Sequence, residues 1–345
     1  MKTSVILTIL LGALLVYPLL ASPIHDAAQL GDLSNLERLC LPGVAVDEAD
    51  TKTGLTPWQV ACIHGRQEAA AFLAKAGADV QRPFPAPERV LNSVIAAEVS
   101  GETPGYAVLV SRDGKILWEA GFGMANLATK AAVTPGTVFR IGSITKQFVA
   151  SAVLLCEEKG RLSVNDPLSR FFPDYPGGDK ITLKHLLTHT SGIKSYTSLP
   201  DFMTHVKEPR TPEQMVAGFQ NLPPDFAPGA GFAYCNSGYL LLAEVVRRAS
   251  GESYDDLLQR RVYLPQHMYS TGPHRPSLGL AFEARGYREA GAKWRPAVDW
   301  HMSQAGGAWE LYSTVGDLQR WNEAVFGDHV LTPESRKKAH TPEPK

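Results

Sequence analysis

A long apolar segment that follows Lys146 is the sequence feature that most constrains the fold of this chain. Apolar side chains occupy almost every helical position, and Gly160 stands where a helix would end. The apolar residues of the segment are Phe148, Val149, Ala150, Ala152, Val153, Leu154 and Leu155. Because a helix that is apolar nearly all round must be covered on every side, the segment predicts a buried helix inside a domain.

Two polar residues, Ser143 and Lys146, lie at the start of this helix, within Gly142-Ser143-Ile144-Thr145-Lys146. Residues at this spacing share a helix face, about 5–6 Å apart at Cβ. A lysine that burial keeps uncharged can take the serine hydroxyl proton and so activate a nucleophile. Backbone N–H groups of the first turn would stabilise the developing negative charge. The alternative is an N-cap serine beside a lysine that extends to solvent.

Ser-x-x-Lys also occurs at Ser191–Lys194 and at Ser335–Lys338, so context must distinguish the three. Ser191 lies in a stretch with turn character. Ser335 lies in a highly charged segment, where solvent keeps a lysine protonated. The sequence therefore favours Ser143.

Tyr234-Cys235-Asn236 is the only Tyr-x-Asn in the chain, and it precedes a predicted helix from Tyr239 to Ala249 that ends at Gly251. A tyrosine near Ser143 and Lys146 can relay a proton between nucleophile and leaving group. An asparagine beside it can donate to a substrate carbonyl and hold the lysine. The alternative is a loop before a helix, with Asn236 or Ser237 as its cap.

Together these elements resemble the serine β-lactamase and penicillin-binding-protein superfamily, on the side of the class C β-lactamases and D-Ala-D-Ala carboxypeptidases. The resemblance implies an α+β catalytic domain with a helical half and an antiparallel-sheet half. The blocks that carry it occur in family order and are residues 139–148, 181–192, 226–239 and 306–318.

The family's chemistry implies a serine hydrolase that forms an acyl-serine with a β-lactam, a D-Ala-D-Ala-type cell-wall peptide or an ester. Ser143 would be the nucleophile, Lys146 the base, Tyr234 the proton relay and Asn236 a substrate-binding residue. The backbone N–H of Ser143 would supply one oxyanion donor. We expect neither a cofactor nor a metal. The rival hypothesis is a secreted, ankyrin-containing binding protein with an inactive, truncated β-lactamase-like scaffold.

Two departures from the family pattern bear on activity. No Lys-x-Gly or His-x-Gly triplet follows Asn236, and the one Lys-Thr-Gly, at Lys52, lies far upstream. The resemblance therefore implies that the C-terminal strands of the catalytic domain are missing, and predicts a weak or inactive catalyst. Ala308-Trp309-Glu310 resembles a short insertion, which we expect to leave the catalytic groups untouched.

The N-terminal third predicts a different organisation. Residues 1–21, with Lys2 before an apolar run, are typical of an export signal peptide, the alternative being a membrane anchor. We therefore expect a secreted or periplasmic protein without stable membrane insertion after cleavage. Residues 22–80 repeat with a period of 34 and resemble a small all-α pair of ankyrin repeats. Such a pair is either a partner-binding module or a structural cap.

Residues 81–87 form a proline-rich linker, and residues 88–345 the β-lactamase-like serine hydrolase domain. Within this domain we predict a helix over residues 88–99 and a hairpin around Asp113-Gly114. A net charge of −1 provides no basic field for nucleic acid. Cys156 and Cys235 are predicted to be packed thiols, and a disulfide between Cys40 and Cys62 is disfavoured.

Overall fold

The computed structural model describes residues 5–8, 22–86, 88–90, 92, 99, 101–275, 278–291 and 293–342. These form two compact units, residues 1–134 and residues 135–345. The predicted linker at residues 81–87 lies inside the first unit, so the domain boundaries proposed from the sequence stay predictions. Most of the predicted signal peptide and of the helix over residues 88–99 lies outside the described residues.

The first unit combines short helices with two antiparallel sheets. Its helices are α1 (Pro23–Leu30), α2 (Leu33–Leu39), α3 (Pro57–Ile63) and α4 (Gln67–Lys75). Its strands are β1 (Val5–Thr8), β2 (Tyr106–Arg112), β3 (Lys115–Phe122), β4 (Met124–Asn126) and β5 (Ala131–Ala132). The sheet orders are β1-β2-β3 and β4-β5.

The helices of the first unit repeat at the offset read from the sequence. Helices α3 and α4 begin 34 residues after α1 and α2, and Gly31 and Gly65 both adopt positive φ after the first helix of each pair. The two pairs share one apolar core, in which Ala28, Leu36 and Leu73 are fully buried. Two helix pairs thus stabilise each other by burying the same apolar surface.

The predicted hairpin is confirmed as β2 and β3, which pair antiparallel from Tyr106 opposite Phe122 to Arg112 opposite Lys115. Asp113 and Gly114 connect them with φ of 49° and 76°. Positive φ at both positions is what a tight two-residue hairpin turn requires, and Asp-Gly accepts it readily. The backbone of β1 pairs with the other edge of β2.

The second unit is mainly helical and carries all the predicted site residues. Its α-helices are α5 (Thr145–Glu158), α6 (Leu183–Leu187), α7 (Phe202–His205), α8 (Pro212–Ala217), α9 (Asn236–Ser250), α10 (Tyr254–Leu258), α11 (Val315–Phe326) and α12 (Pro333–His340). Its strands are β6 (Phe139–Arg140), β7 (Gly272–Pro273), β8 (Tyr287–Ala290), β9 (Lys293–Pro296) and β10 (Leu311–Ser313). The sheets are antiparallel, in the orders β6-β10-β7 and β8-β9.

Helix α5 lies in the centre of the second unit, as its all-round apolar pattern predicts. Phe148, Val149, Ala152 and Val153 are completely buried. The Phe148 ring stacks on Trp321 of α11 with ring centroids 3.9 Å apart. Burial of an aromatic side chain of this size contributes about 1.5–3 kcal/mol, so this packing fixes the position of the helix that begins beside Ser143.

Helix α9 packs against α5 and was also predicted, although it begins at Asn236 rather than Tyr239. It ends at Gly251, whose φ of 85° is the left-handed conformation that glycine adopts most readily. Leu241, Leu242 and Val245 of α9 are fully buried. The apolar contact between α5 and α9 brings their N-terminal ends, and hence Lys146 and Asn236, together.

All four cysteines are free thiols. Cys156 and Cys235 are buried free thiols, as expected, and Cys40 and Cys62 are free rather than paired.

Among the described residues, no helix has the length and apolar character that crossing a membrane requires.

Candidate active site

Ser143 lies in a single 3₁₀ turn, Gly142–Ile144, directly before α5. The sequence predicted it on the first α-helical turn, and the structure places it one turn earlier. Thr145 holds the turn in place: its Oγ1 donates to the carbonyl of Gly142 at 2.7 Å and accepts from the N–H of Leu311 at 3.1 Å. Ser143 itself is exposed, so that its hydroxyl is open to a substrate.

Lys146 is almost fully buried, with 6% of its surface exposed, and its Nζ lies within hydrogen-bond distance of three oxygens. These are Oγ of Ser143 at 3.1 Å, Oδ1 of Asn236 at 2.8 Å and the carbonyl oxygen of Ala308 at 2.7 Å. The predicted pairing of Ser143 with Lys146 is therefore present, and the alternative of a lysine extending to solvent is not.

The chemistry of these three oxygens determines which way a neutral Lys146 amine must face. An amide oxygen and a backbone carbonyl only accept hydrogen bonds, so they take the two N–H groups of a neutral amine. The remaining lone pair then faces the Ser143 hydroxyl, which can donate to it. The geometry is that of a base directed at a serine nucleophile.

Burial also shifts the acid–base equilibrium of this lysine. Loss of solvation lowers the Lys146 pKa from 10.5 to about 8, because the charged form is the one that burial disfavours. A substantial fraction of Lys146 is then neutral in mildly alkaline solution, which an exposed lysine would not allow.

We expect the rate of serine acylation to depend on pH through Lys146. Only the neutral amine acts as a base, so the rate should rise about tenfold per pH unit below pH 8 and level off above it. The measurement is the second-order rate constant for labelling by a fluorescent penicillin from about pH 6 to about pH 10. A rate that is flat or falls across this interval would contradict the role of Lys146 as the base.

Asn236 is held on both sides of its amide. Its Oδ1 accepts from Lys146, and its Nδ2 donates to Oγ1 of Thr197 at 2.9 Å. Its backbone N–H donates to Oγ of Ser195 at 3.1 Å. Because Thr197 takes one amide hydrogen, one N–H of Asn236 remains for a substrate carbonyl. The Asn236 side chain holds the lysine rather than capping the helix, which begins after Cys235 without a side-chain cap.

Tyr234 lies over Lys146 rather than in hydrogen-bond contact with it. The Nζ of Lys146 is 4.7 Å from the centroid of the Tyr234 ring, and half of the Tyr234 surface is exposed. Among the described residues, Tyr234 makes no hydrogen bond to Ser143 or Lys146. The tyrosine is thus near the predicted pair and open to solvent.

His189 supports this tyrosine through its ring and one hydrogen bond. Its Nδ1 accepts from the N–H of Cys235 at 3.1 Å, and its ring centroid is 4.5 Å from that of Tyr234. Burial, and then the charge of Lys146, lower the His189 pKa to about 4. His189 is therefore neutral at physiological pH, as an accepting Nδ1 requires.

Ala308 shows that one expectation from the sequence was wrong. The Ala308–Glu310 segment was expected to leave the catalytic groups untouched, yet the carbonyl of Ala308 accepts from Lys146. The preceding glycine explains the close approach: a Cβ on Gly307 would lie 2.7 Å from Cβ of Ala243 and 2.9 Å from Cγ2 of Val149. Only a glycine allows the backbone to enter between α5 and α9 at this point.

We expect Gly307→Ala to destabilise the protein and displace the Ala308 carbonyl from Lys146. Forcing a methyl group into packed side chains typically costs about 1–3 kcal/mol of unfolding free energy. Chemical denaturation measures the loss. Gly316→Ala in α11 is the matched control, because the nearest atom to its new Cβ would be Nη1 of Arg320 at 3.6 Å, an ordinary van der Waals contact. Equal stability of the two variants would contradict the tight packing at Gly307.

The other two Ser-x-x-Lys pairs lack this arrangement. Lys194 forms an ion pair with Asp225 at 2.6 Å, and Lys338 forms one with Glu157 at 2.6 Å. Ser191 lies at a bend in the non-helical stretch after α6, and Ser335 lies in the first turn of α12, where it is buried. Both lysines are held in ion pairs with carboxylates instead of being directed at a serine hydroxyl.

The comparison with known proteins agrees with this geometry. The family model described as Beta-lactamase matches residues 82–344. The chain therefore belongs to the β-lactamase family, a family of serine hydrolases that includes penicillin-binding-protein-like members. Its fold is of the β-lactamase/transpeptidase type, with helices and antiparallel sheets.

Individual relatives are similar over about two thirds of this chain. The putative penicillin-binding protein PbpX of Bacillus subtilis (strain 168) is 31% identical over 238 residues, 69% of this chain and 59% of the relative. The octameric penicillin-binding protein homologue from Pyrococcus abyssi is 28% identical with a TM-score of 0.63, covering 71% of this chain and 57% of that one. A D-stereospecific amidohydrolase from Streptomyces sp. is 29% identical with a TM-score of 0.60, covering 72% and 76%. This chain spans about half the length of the curated relatives it matches.

Proposed function

We propose that this protein is a serine hydrolase that acts through an acyl-serine intermediate on a β-lactam, a D-Ala-D-Ala-type peptide, or an ester. The observation that carries the proposal is the position of Lys146 Nζ, 3.1 Å from Ser143 Oγ, with its two other oxygen partners fixed. Similarity to a D-stereospecific amidohydrolase supports an amide substrate as well as a β-lactam.

In the acylation step, Ser143 Oγ attacks the carbonyl carbon of the substrate while its proton passes to the lone pair of Lys146. The backbone N–H of Ser143 donates to the oxyanion of the tetrahedral intermediate. When the bond to the leaving nitrogen or oxygen breaks, that atom takes a proton from the hydroxyl of Tyr234. The Lys146 ammonium replaces this proton after the Tyr234 side chain, whose ring lies over Nζ in the free protein, turns its hydroxyl towards it. The free N–H of Asn236 holds the substrate amide. The products are an acyl-serine and a neutral amine or alcohol, which departs from a peptide or an ester and stays attached to the acyl group of a β-lactam.

In the deacylation step, a water molecule replaces the leaving group at the same position. Lys146, neutral again, takes a proton from this water as its oxygen attacks the ester carbonyl. The carbon–Oγ bond breaks, and the proton returns to Ser143 Oγ. The step releases a carboxylic acid and regenerates the enzyme, so one water is consumed for each substrate hydrolysed.

Two substrates test this proposal directly. The purified chain is incubated with a fluorescent penicillin, for covalent labelling, and with p-nitrophenyl butyrate, for turnover. We expect a label that survives denaturation and a turnover that is lost in the Ser143→Ala variant. A folded chain that neither labels nor hydrolyses the ester would reject the hydrolase and favour the rival, a binding protein with an inactive scaffold.

The N-terminal unit is proposed to serve a separate purpose. Its helix pairs, repeated at 34 residues, support an ankyrin-like module that binds a protein partner or forms a structural cap. An export signal at residues 1–21 would direct the protein to the periplasm or outside the cell. N-terminal sequencing of the mature protein tests this, since a start at Met1 would contradict cleavage.

A further inference from the structure

Phe232 and Tyr234 lie on the same face of an extended segment that leads into α9. The accessible surface alternates there, with Phe232 and Tyr234 exposed and Ala233 and Cys235 more buried. Alternation of this kind places every second side chain of an extended chain on one side. Tyr234 is a predicted site residue, whereas no sequence motif assigns a role to Phe232.

His189 fixes this segment at two points. Its carbonyl accepts from the N–H of Ala233 at 3.0 Å, and its Nδ1 accepts from the N–H of Cys235 at 3.1 Å. Its ring contacts both exposed aromatic side chains, with centroids 6.0 Å from Phe232 and 4.5 Å from Tyr234. Because both rings contact one imidazole, they form a single aromatic surface beside the site.

The Phe232 ring is uncovered although its backbone is held in place. It is 71% exposed, and the Tyr234 ring beside it lies 4.7 Å from Lys146 Nζ. Isolated exposed apolar residues are common on protein surfaces, so exposure alone means little. What distinguishes Phe232 is that it continues the surface formed by a residue next to the catalytic lysine.

We propose that Phe232 is a specificity-determining residue that contacts the leaving group, favouring substrates whose leaving group carries an aromatic or large apolar substituent. This inference rests on the proposed function. In that mechanism Tyr234 gives a proton to the leaving atom, which must therefore stand beside the Tyr234 hydroxyl. The substituent on that atom then extends along the surface that Tyr234 shares with Phe232, and stacking on the ring stabilises the acylation transition state.

Two esters with the same acyl group isolate this contact. Benzyl butanoate and ethyl butanoate form the same butanoyl-serine, so their deacylation steps are identical and only acylation can distinguish them. Both leaving groups are alcohols in which oxygen is bonded to a CH₂ group. The ratio of kcat/KM for the benzyl ester to that for the ethyl ester therefore reports mainly on contacts with the leaving group.

We expect the wild-type chain to prefer the benzyl ester and Phe232→Ala to lower the benzyl-to-ethyl ratio about five- to tenfold. Phe232→Leu, which keeps an apolar side chain, should give a benzyl-to-ethyl ratio between those of the wild type and Phe232→Ala. Phe326→Ala is the matched control: Phe326 is also an exposed aromatic residue, at the end of α11, and the ratio should not change. Thermal unfolding of each variant verifies that it is folded.

The results separate this inference from the proposed function. Suppose that Ser143 is acylated but Phe232→Ala lowers kcat/KM equally for both esters, or leaves both values unchanged. The benzyl-to-ethyl ratio then stays the same, and the inference is wrong while the proposed hydrolase function stands. Labelling by penicillin without turnover of either ester would also overturn the inference. A chain that never acylates at Ser143 would overturn the proposed function itself.

Discussion

Ser143→Ala is expected to abolish covalent labelling by a fluorescent penicillin, whereas Ser191→Ala and Ser335→Ala are expected to keep it. The reason is that, among the three serines, only Ser143 has beside its hydroxyl, at 3.1 Å, a lysine whose other partners are neutral oxygens. Lys194 and Lys338 are each paired with a carboxylate. Denaturing gel electrophoresis with fluorescence detection measures the label on each variant.

The two control variants make this result specific. Ser335 is buried, so its replacement by alanine can lower stability without touching the chemistry. Its backbone N–H, which donates to the capping Oγ1 of Thr332, is kept in the variant. Each variant is therefore compared at equal folded concentration. Labelling that persists in Ser143→Ala but disappears in Ser191→Ala or Ser335→Ala would contradict the assignment of the nucleophile.

Lys146→Ala and Tyr234→Phe are each expected to slow acylation by about 10²–10⁴. Without Lys146, no base faces the Ser143 hydroxyl. Without the Tyr234 hydroxyl, the leaving atom loses its proton donor. Stopped-flow measurement of labelling gives the rate constants. Lys146→Ala also leaves the Asn236 and Ala308 oxygens without their donor, so we expect a loss of about 1–3 kcal/mol in unfolding free energy.

Lysines of the other two Ser-x-x-Lys pairs provide the controls. Lys194→Ala and Lys338→Ala remove ion pairs with Asp225 and Glu157 and should leave the acylation rate within a few-fold of wild type. Exposed ion pairs of this kind contribute about 0–1 kcal/mol to stability. An acylation rate in Lys146→Ala that matches these controls would remove the proposed role of the lysine.

The features that could be predicted from the sequence are those set by short-range patterns. The buried α5 follows from an apolar run closed by Gly160, and the β2–β3 hairpin follows from Asp113-Gly114. The pairing of Ser143 with Lys146 follows from helical spacing. Each depends on residues close together in the chain, where backbone geometry restricts the outcome.

The contacts that complete the site could not be predicted, because they join distant segments. Lys146 meets Asn236 across 90 residues and Ala308 across 162. A backbone carbonyl such as that of Ala308 has no signature in its side chain. Thr197 and Ser195, which hold Asn236, are common polar residues in a stretch without a recognised pattern. Gly307 was visible in the sequence, but only the packing of α5 against α9 explains why a glycine stands there.

This arrangement implies a site in which the lysine is positioned by acceptors rather than by an acidic partner. An acidic partner would stabilise the ammonium and raise its pKa, as it does for most paired lysines. The neutral oxygens of Asn236 and Ala308 orient Lys146 without adding a charge, so burial can lower its pKa to about 8. The base strength of Lys146 thus follows from which atoms surround it.

The most direct test of the central claim, that Ser143 is the acylated nucleophile, is peptide mapping by mass spectrometry after reaction with a β-lactam. We predict one adduct with the mass of the intact β-lactam, because ring opening expels no atom, located on Ser143 and formed faster as the pH rises towards 8. An adduct on any other residue would contradict the account, and so would a folded chain that carries no adduct at any pH from about 6 to about 10.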